Sequence, residues 1–290
     1  MYPTFVLLGA AILSVWIPPL RLSTADARLP AWPIMLVAAM AMGIHEGILR
    51  WPGAIAIAGL AALAAISRQS RHPAIRTLCT ILAAMLALGL ALHLVPGFDN
   101  PAVAQNIRLS PDAALYTLRL NFDKAAAGLI LLAFYAPRSS TMAHWAPVLR
   151  AALITTALTA VVVFGFAATA GYVAWLPKVP TFTAAFLAAN LLFTCVAEEA
   201  FFRGMLQRWI ATQVRGRWTT PVVVCIVAVL FGLAHAAGGW QLIAFATLAG
   251  LGYSLAFACT QRIEAAILVH FGINAVHLLL FTYPSIAGSL

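Results

Sequence analysis

Runs of apolar residues, each close to the length that crosses a lipid bilayer, recur along the whole chain. A membrane-spanning helix needs ~20 predominantly apolar residues, because its backbone polar groups find no water in the hydrocarbon core. Hydropathy marks ten candidate spans, at residues 3–20, 32–49, 53–66, 77–95, 125–136, 149–176, 182–209, 221–236, 241–258 and 265–283. No stretch of ~100 residues lies outside this pattern, so the chain is predicted to form one continuous membrane domain.

Composition supports the same class. Apolar residues make up 63% of the 290 residues and charged residues 9%, whereas a soluble domain has roughly 25% charged residues. The net charge of +9 arises from basic residues in short segments between apolar runs, which indicates membrane topology and not a nucleic-acid partner. The predicted fold is all-α: a polytopic bundle of about ten transmembrane helices, with eight to ten compatible with the pattern.

The distribution of basic residues tests the assigned spans, because cytoplasmic loops carry an excess of Lys and Arg. If both termini lie outside, the cytoplasmic segments hold 12 of the 17 basic residues: Arg21, Arg28, Arg68, Arg71, Arg76, Arg138, Arg150, Arg203, Arg208, Arg215, Arg217 and Arg262. The sizeable outer loop, around residues 100–124, is predicted to be a lid or an amphipathic surface segment. The preference for Arg over Lys and the abundant Ala are typical of a GC-rich bacterial genome. The expected location is therefore the inner or plasma membrane of a bacterial cell.

Two adjacent glutamates inside an apolar run are the strongest anomaly in the sequence. A charge at the centre of a membrane helix costs on the order of 2.5 to 3.5 kcal/mol, yet Glu198 and Glu199 lie deep in the segment FTCVAEEAFFRGM. Glu199 and Arg203 have i, i+4 spacing, which favours a local ion pair. Glu198 is turned ~100° away on a regular helix. Glu198 must therefore find a polar partner elsewhere or take up a proton, which makes it a candidate general base.

Two later spans each carry a histidine with an aromatic or amide partner one helical turn away. Phe231 and His235 lie in LFGLAHAAGGW, and His270 and Asn274 lie in ILVHFGINAVHLLL. A carboxylate can activate water, histidine transfers protons near neutral pH, and an asparagine amide can donate to a developing oxyanion. This inventory is typical of a hydrolase. The chain lacks the usual patterns of serine hydrolases, HExxH zinc proteases and nucleotide-binding loops.

These motifs, in this order, resemble the three motifs of the type II CAAX prenyl protease and bacteriocin-processing family of glutamic intramembrane proteases. The resemblance covers about a third of the chain, and no upstream motif matches. It implies a CAAX-protease-like catalytic helical core at residues 181–290, preceded by an N-terminal transmembrane region of unassigned role at residues 1–180.

The resemblance also implies roles for individual residues. Glu198 would act with His235 to hold and activate the attacking water, and His270 and Asn274 would form the oxyanion site. Glu199 and Arg203 match the remaining positions of the first motif. With Phe231 they are expected to be structural or substrate-orienting. The implied substrate is a membrane-anchored or lipidated protein or peptide. The sequence does not determine the oligomeric state.

A zinc site is the alternative to metal-free chemistry. Glutamate and histidine are zinc ligands, and a catalytic zinc keeps one open position. However, Glu198, His235 and His270 lack paired-ligand spacing within one helix, and Asn274 suits an amide donor better than a metal ligand. No metal and no other cofactor is therefore predicted.

Two other functions remain open at this point. Intramembrane Glu, His and Arg residues also serve secondary transporters and proton relays, although the polar cluster here has no counterpart in the first half of the chain. The other possibility is a catalytically idle scaffold, in which the fold serves to bind a partner. Individual residues also have purely structural readings. Glu199 with Arg203 could be an internal ion pair, His235 could bond a backbone carbonyl, His277 could pack in the core or line water, and His93 and His144 read as interfacial.

Overall fold

The computed structural model describes residues 2–21, 28–139 and 141–288. Helices dominate this part of the chain. They are α1 Pro3–Ser14, α2 Ala31–His45, α3 Trp51–Gln69, α4 Pro73–Ala91, α5 Phe122–Tyr135, α6 Met142–Thr169, α7 Thr183–Gln213, α8 Thr219–Leu233, α9 Gly239–Thr260 and α10 Ile263–Leu280. Two short two-stranded sheets accompany them, β1 Leu20–Arg21 with β2 Arg28–Leu29 and β3 Ala102–Ile107 with β4 Tyr116–Arg119. The predicted helical membrane class is confirmed.

Six helices in the described residues are long and apolar enough to cross a membrane: α3, α4, α6, α7, α9 with its preceding turn, and α10. Helices α1, α2 and α8 are apolar but shorter, with 12, 15 and 15 residues. The chain is a multi-pass membrane protein, but the predicted count of ten spans is not confirmed.

Helix α5 is the clearest departure from the predicted spans. It has 14 residues and is therefore about 21 Å long, shorter than the ~30 Å hydrocarbon core. Most of its residues are buried, including Leu129, Ile130 and Leu132 at 0% exposure. By contrast, Leu153 and Val161 on α6 are 73% and 75% exposed, as expected of side chains that face lipid. Helix α5 is a core helix, because its apolar residues meet protein on all sides.

The chain forms two compact units. The first consists of Met1–Pro101, Arg119–Ala136 and Leu192–Phe201. Within it, α1 packs on α2 and α3 packs on α4, while α5 contacts α1, α3, α4 and the Val196–Glu199 segment of α7. Helix α5 is thus the centre of the first unit.

The second unit consists of Ala102–Leu118, Pro137–Leu191 and Phe202–Leu290. Here α6 packs against α9 and α10, and α9 also packs against α8 and α10. Small residues permit these close approaches: Gly252 faces Thr159, and Gly232 faces Thr247. The division of the chain at residue 180 concerned function, and it stays a prediction.

The predicted outer loop contains strands β3 and β4 instead of irregular chain alone. Beside them lies an open groove of about 640 Å³, with apolar walls that include Val103 and Val179. Two basic side chains, Arg108 and Lys178, also line it. Burial lowers the pKa of Lys178 from its usual value. The groove combines apolar and basic surface, and the role of this loop as a lid or an amphipathic surface segment stays a prediction.

The contact between α5 and α7 predicts a strong dependence on one glycine. A methyl group at Gly128 would collide with the backbone of Ala197. We expect Gly128→Ala to lower the midpoint of thermal unfolding in detergent by about 2 to 10 °C, because overpacking costs ~1–3 kcal/mol. Gly165 in α6 has open space around it and provides the matched control. Gly165→Ala should leave the midpoint unchanged or raise it, since Ala is the better helix former. Equal midpoints for the two variants would contradict the packing described here.

Candidate active site

Helix α7 carries the first motif and changes its geometry around it. The helix is π-helical at Asn190–Cys195 and again at Ala200–Gln207. Between these segments lies the short α-helical stretch Val196–Glu199. π-Helical turns are rare and occur frequently at functional sites. The glutamate pair therefore lies between two widened helical segments, for which the sequence carried no signal.

In the first unit, Glu198 has a basic partner. The Lys124 Nζ donates to Glu198 Oε1 at 2.6 Å, and the two side chains are only 17% and 15% exposed. The polar partner expected for Glu198 thus lies on α5, 74 residues upstream. Sequence reasoning missed Lys124, which it assigned to the outer loop. The available signal was a lysine, one of only two in the chain, at the start of an apolar run.

The first turn of α5 is held by a network around Asp123, which is 1% exposed. The Asp123 carboxylate lies 2.6 Å from His93 Nδ1 and accepts from Asn100 Nδ2 at 3.0 Å. It also accepts from the backbone N–H of Lys124, while Asn100 Oδ1 accepts from the N–H of Phe122. His93 is therefore more than an interfacial residue. The network fixes the position from which the Lys124 side chain extends.

Glu199, next to Glu198, is completely buried. A buried carboxylate requires a hydrogen-bonding or charged partner to offset its lost hydration. The ion pair predicted between Glu199 and Arg203 stays a prediction.

In the second unit, Arg203 is also completely buried. Its Nη2 donates to the Gly250 carbonyl at 2.9 Å, and Nε and Nη2 both lie 3.3 Å from Ser254 Oγ. The guanidinium carbon lies 4.8 Å from the centre of the Phe231 ring and 5.3 Å from that of Tyr253. Cation–π contacts of this kind strengthen when water is excluded. Arg203 therefore ties α7 to α9 and to the aromatic residue of the second motif.

Phe231 is the centre of this cluster. Its ring contacts His235 at 4.8 Å between ring centres and meets His270 edge-on at 5.6 Å. Tyr253 closes the group and stacks on His270 at 4.5 Å with an interplanar angle of 14°. Arg203, Phe231, His235 and His270, predicted from three separate motifs, are brought together in one aromatic cluster.

His235 lies just beyond the last residue of α8, Leu233. Its Nδ1 is 2.8 Å from the Phe231 carbonyl oxygen. Because a carbonyl only accepts, Nδ1 carries a proton, and Nε2 of the neutral ring is then an acceptor. The backbone bond expected of a structural histidine is present. It also fixes the orientation of the ring and the nitrogen that can act as a base.

Asn274 bonds to a residue that sequence reasoning missed. Its Nδ2 donates to Asn190 Oδ1 at 3.2 Å. Asn190 is the first residue of the first π-helical segment, and a polar side chain within the apolar run 182–209 was the available signal. His277, predicted to pack or to line water, contacts the rings of Phe164 and Tyr283.

One part of the chain is similar to a known protein family. The family model of Rce1-like type II CAAX prenyl endopeptidases matches residues 180–276. The predicted resemblance of this segment to the type II CAAX prenyl endopeptidase family is thereby confirmed. No curated protein and no solved structure matches the chain. The CAAX prenyl endopeptidase segment contains every motif residue of the sequence analysis: Glu198, Glu199, Arg203, Phe231, His235, His270 and Asn274. Lys124 lies outside it.

The matched family implies a protease, which is a hydrolase, and the apolar helices fit a membrane protein. Within the described residues, no group of three or more His, Cys, Asp or Glu side chains could hold a metal ion. Metal-free chemistry stays a prediction that only a chelation experiment can test.

The environment of Arg203 predicts that lysine cannot replace it. A lysine ammonium is a compact point charge, so it cannot reach Gly250 and Ser254 together while lying flat against two rings. We expect Arg203→Lys to lower the midpoint of thermal unfolding in detergent by about 10 °C, as for a broken buried polar network. Arg215→Lys, at an exposed arginine just after α7, is the control and should leave the midpoint unchanged. A midpoint for Arg203→Lys equal to that of the wild type would refute this role.

Proposed function

We propose that the chain is an intramembrane endopeptidase that hydrolyses a peptide bond in a membrane-anchored or lipidated protein or peptide. The observation that carries the proposal is the family match at residues 180–276, which contains all seven motif residues. We place the protein in the inner or plasma membrane of a bacterial cell, from the composition of the chain.

In the proposed reaction, Glu198 acts as the general base. Its carboxylate takes a proton from water while the water oxygen bonds to the scissile carbonyl carbon. The carbonyl oxygen becomes a tetrahedral oxyanion. As the intermediate collapses, the carbon–nitrogen bond breaks and the proton passes to the leaving amine. The products are a new carboxylate and a new amine.

The other motif residues are proposed to hold water and charge. His235 would accept a hydrogen bond from the attacking water through Nε2, because Nδ1 is engaged by the Phe231 carbonyl. His270 and Asn274 would donate to the oxyanion. These roles come from the resemblance of the motifs. The stacking of His270 on Tyr253 and the bond from Asn274 to Asn190 support them by restricting both side chains.

Glu199, Arg203 and Phe231 are proposed to support the site or to orient the substrate. Arg203 and Phe231 contact each other, and Phe231 contacts His235 and His270. Such supporting residues hold catalytic side chains within the narrow range of geometry that a reaction requires. No metal takes part in this proposal. The family match favours this activity over the secondary transporter and the proton relay.

The proposal predicts loss of cleavage in a Glu198→Gln variant, which keeps the size of the side chain but cannot accept a proton. We expect a fall in kcat of about 10³-fold or more for Glu198→Gln and about 10²-fold for His235→Gln. The assay uses purified protein in detergent and a library of membrane-anchored peptides, with and without a lipid group.

Glu46→Gln is the matched control, because Glu46 accepts from Thr4 Oγ1 and a glutamine oxygen can accept the same bond. It should cleave at the wild-type rate. Every variant is also measured with a zinc chelator, and activity should persist. Cleavage that survives Glu198→Gln would rule out the base role, and loss of activity on chelation would replace metal-free chemistry with a zinc mechanism.

A further inference from the structure

Lys124 contacts the motif residue Glu198, and it lies outside the matched segment. We propose that Lys124 is a positioning residue for Glu198: it keeps this carboxylate ionised and fixes its orientation. This inference rests on the proposed function, because Glu198 can act as a general base only as a carboxylate. It gives the upstream region of the chain a part in the reaction.

The Glu198 side chain is largely buried. A carboxylate removed from water takes up a proton unless an opposite charge or hydrogen bonds stabilise the ionised form. Glu198 is 15% exposed, and the Lys124 ammonium lies 2.6 Å from its Oε1. This distance is that of a charge-assisted hydrogen bond. The ammonium therefore favours the form of Glu198 that accepts a proton from water.

The two acidic residues that adjoin this pair in sequence, Glu199 and Asp123, supply no positive charge. Glu199, on the same helix, is acidic. Asp123, on α5, is also acidic, and its carboxylate is engaged by His93 and Asn100. Among the described contacts of Glu198, the positive charge comes from Lys124.

Two features of α5 direct the lysine toward Glu198. Lys124 and Gly128 are four positions apart in the sequence and so lie on the same face of the helix. Gly128 permits the backbone of α5 to approach Ala197, the residue before Glu198. The Asp123 network fixes the first turn of α5, from which the Lys124 side chain extends. The hydrogen-bonded first turn thus fixes the backbone at Lys124, and the close approach of α5 to Ala197 brings the lysine side chain within reach of Glu198.

The first test compares Lys124→Met and Lys124→Arg in the peptide-cleavage assay. Methionine keeps length without charge, and we expect kcat to fall about 100-fold, as for a misplaced catalytic group, with KM within about 2-fold of the wild type. Arginine keeps the positive charge and should recover kcat to within about 10-fold. Lys178→Met, at the other lysine of the chain, is the control and should cleave at the wild-type rate. A kcat for Lys124→Met equal to that of Lys178→Met would overturn the proposal, and so would a change confined to KM.

The second test reads the protonation of Glu198 without any substrate. Infrared spectra at pH 7 should show a protonated-carboxyl band in Lys124→Met that is absent from the wild type. The band should disappear in the double variant Lys124→Met with Glu198→Gln, which assigns it to Glu198. No new band in Lys124→Met would overturn the proposal. If the band appears but the wild-type protein cleaves no peptide, the control of protonation by Lys124 stands and the proposed protease function fails.

Discussion

The ion pair between Lys124 and Glu198 joins α5, the central helix of the first unit, to α7. In a membrane protein a charged side chain within an apolar segment is expensive, so it persists where a partner offsets its lost hydration. The partner here comes from a helix too short to span the bilayer. Helix α5 is buried, it begins with a hydrogen-bonded turn, and it carries a glycine where it meets α7. Together these features place the Lys124 ammonium group beside Glu198.

The second unit handles its buried charge differently. Arg203 is surrounded by the faces of aromatic rings and by oxygen acceptors on α9. This arrangement stabilises a delocalised cation and at the same time places Phe231 between the two motif histidines. The aromatic cluster explains why a phenylalanine belongs to a motif that otherwise consists of polar residues. Arg203, His235 and His270 all contact the Phe231 ring.

The class of fold and the motif residues could be predicted from the sequence, because apolar run length and i, i+4 spacing are local properties. The meeting of Arg203, Phe231 and His270 could not be predicted in this way, because the three residues lie on different helices and i, i+4 spacing describes only one helix. Lys124 could not be predicted as the partner of Glu198, because a contact across 74 residues leaves no local pattern. The π-helical segments of α7 were missed for a similar reason, since hydropathy is insensitive to a widened turn. Helix α5 was taken for a span because burial in protein and burial in lipid select the same apolar residues.

A double-mutant cycle on unfolding tests the central ion pair most directly. The free energy of unfolding in denaturing detergent is measured for the wild type, Lys124→Met, Glu198→Gln and the double variant. Each single variant leaves one charge or carboxyl group without its partner, whereas the double variant leaves neither. We expect the double variant to lose less free energy of unfolding than the sum of the single losses, by about 1–3 kcal/mol. Losses that add, within about 0.3–0.5 kcal/mol, would show that the two side chains do not act as a pair.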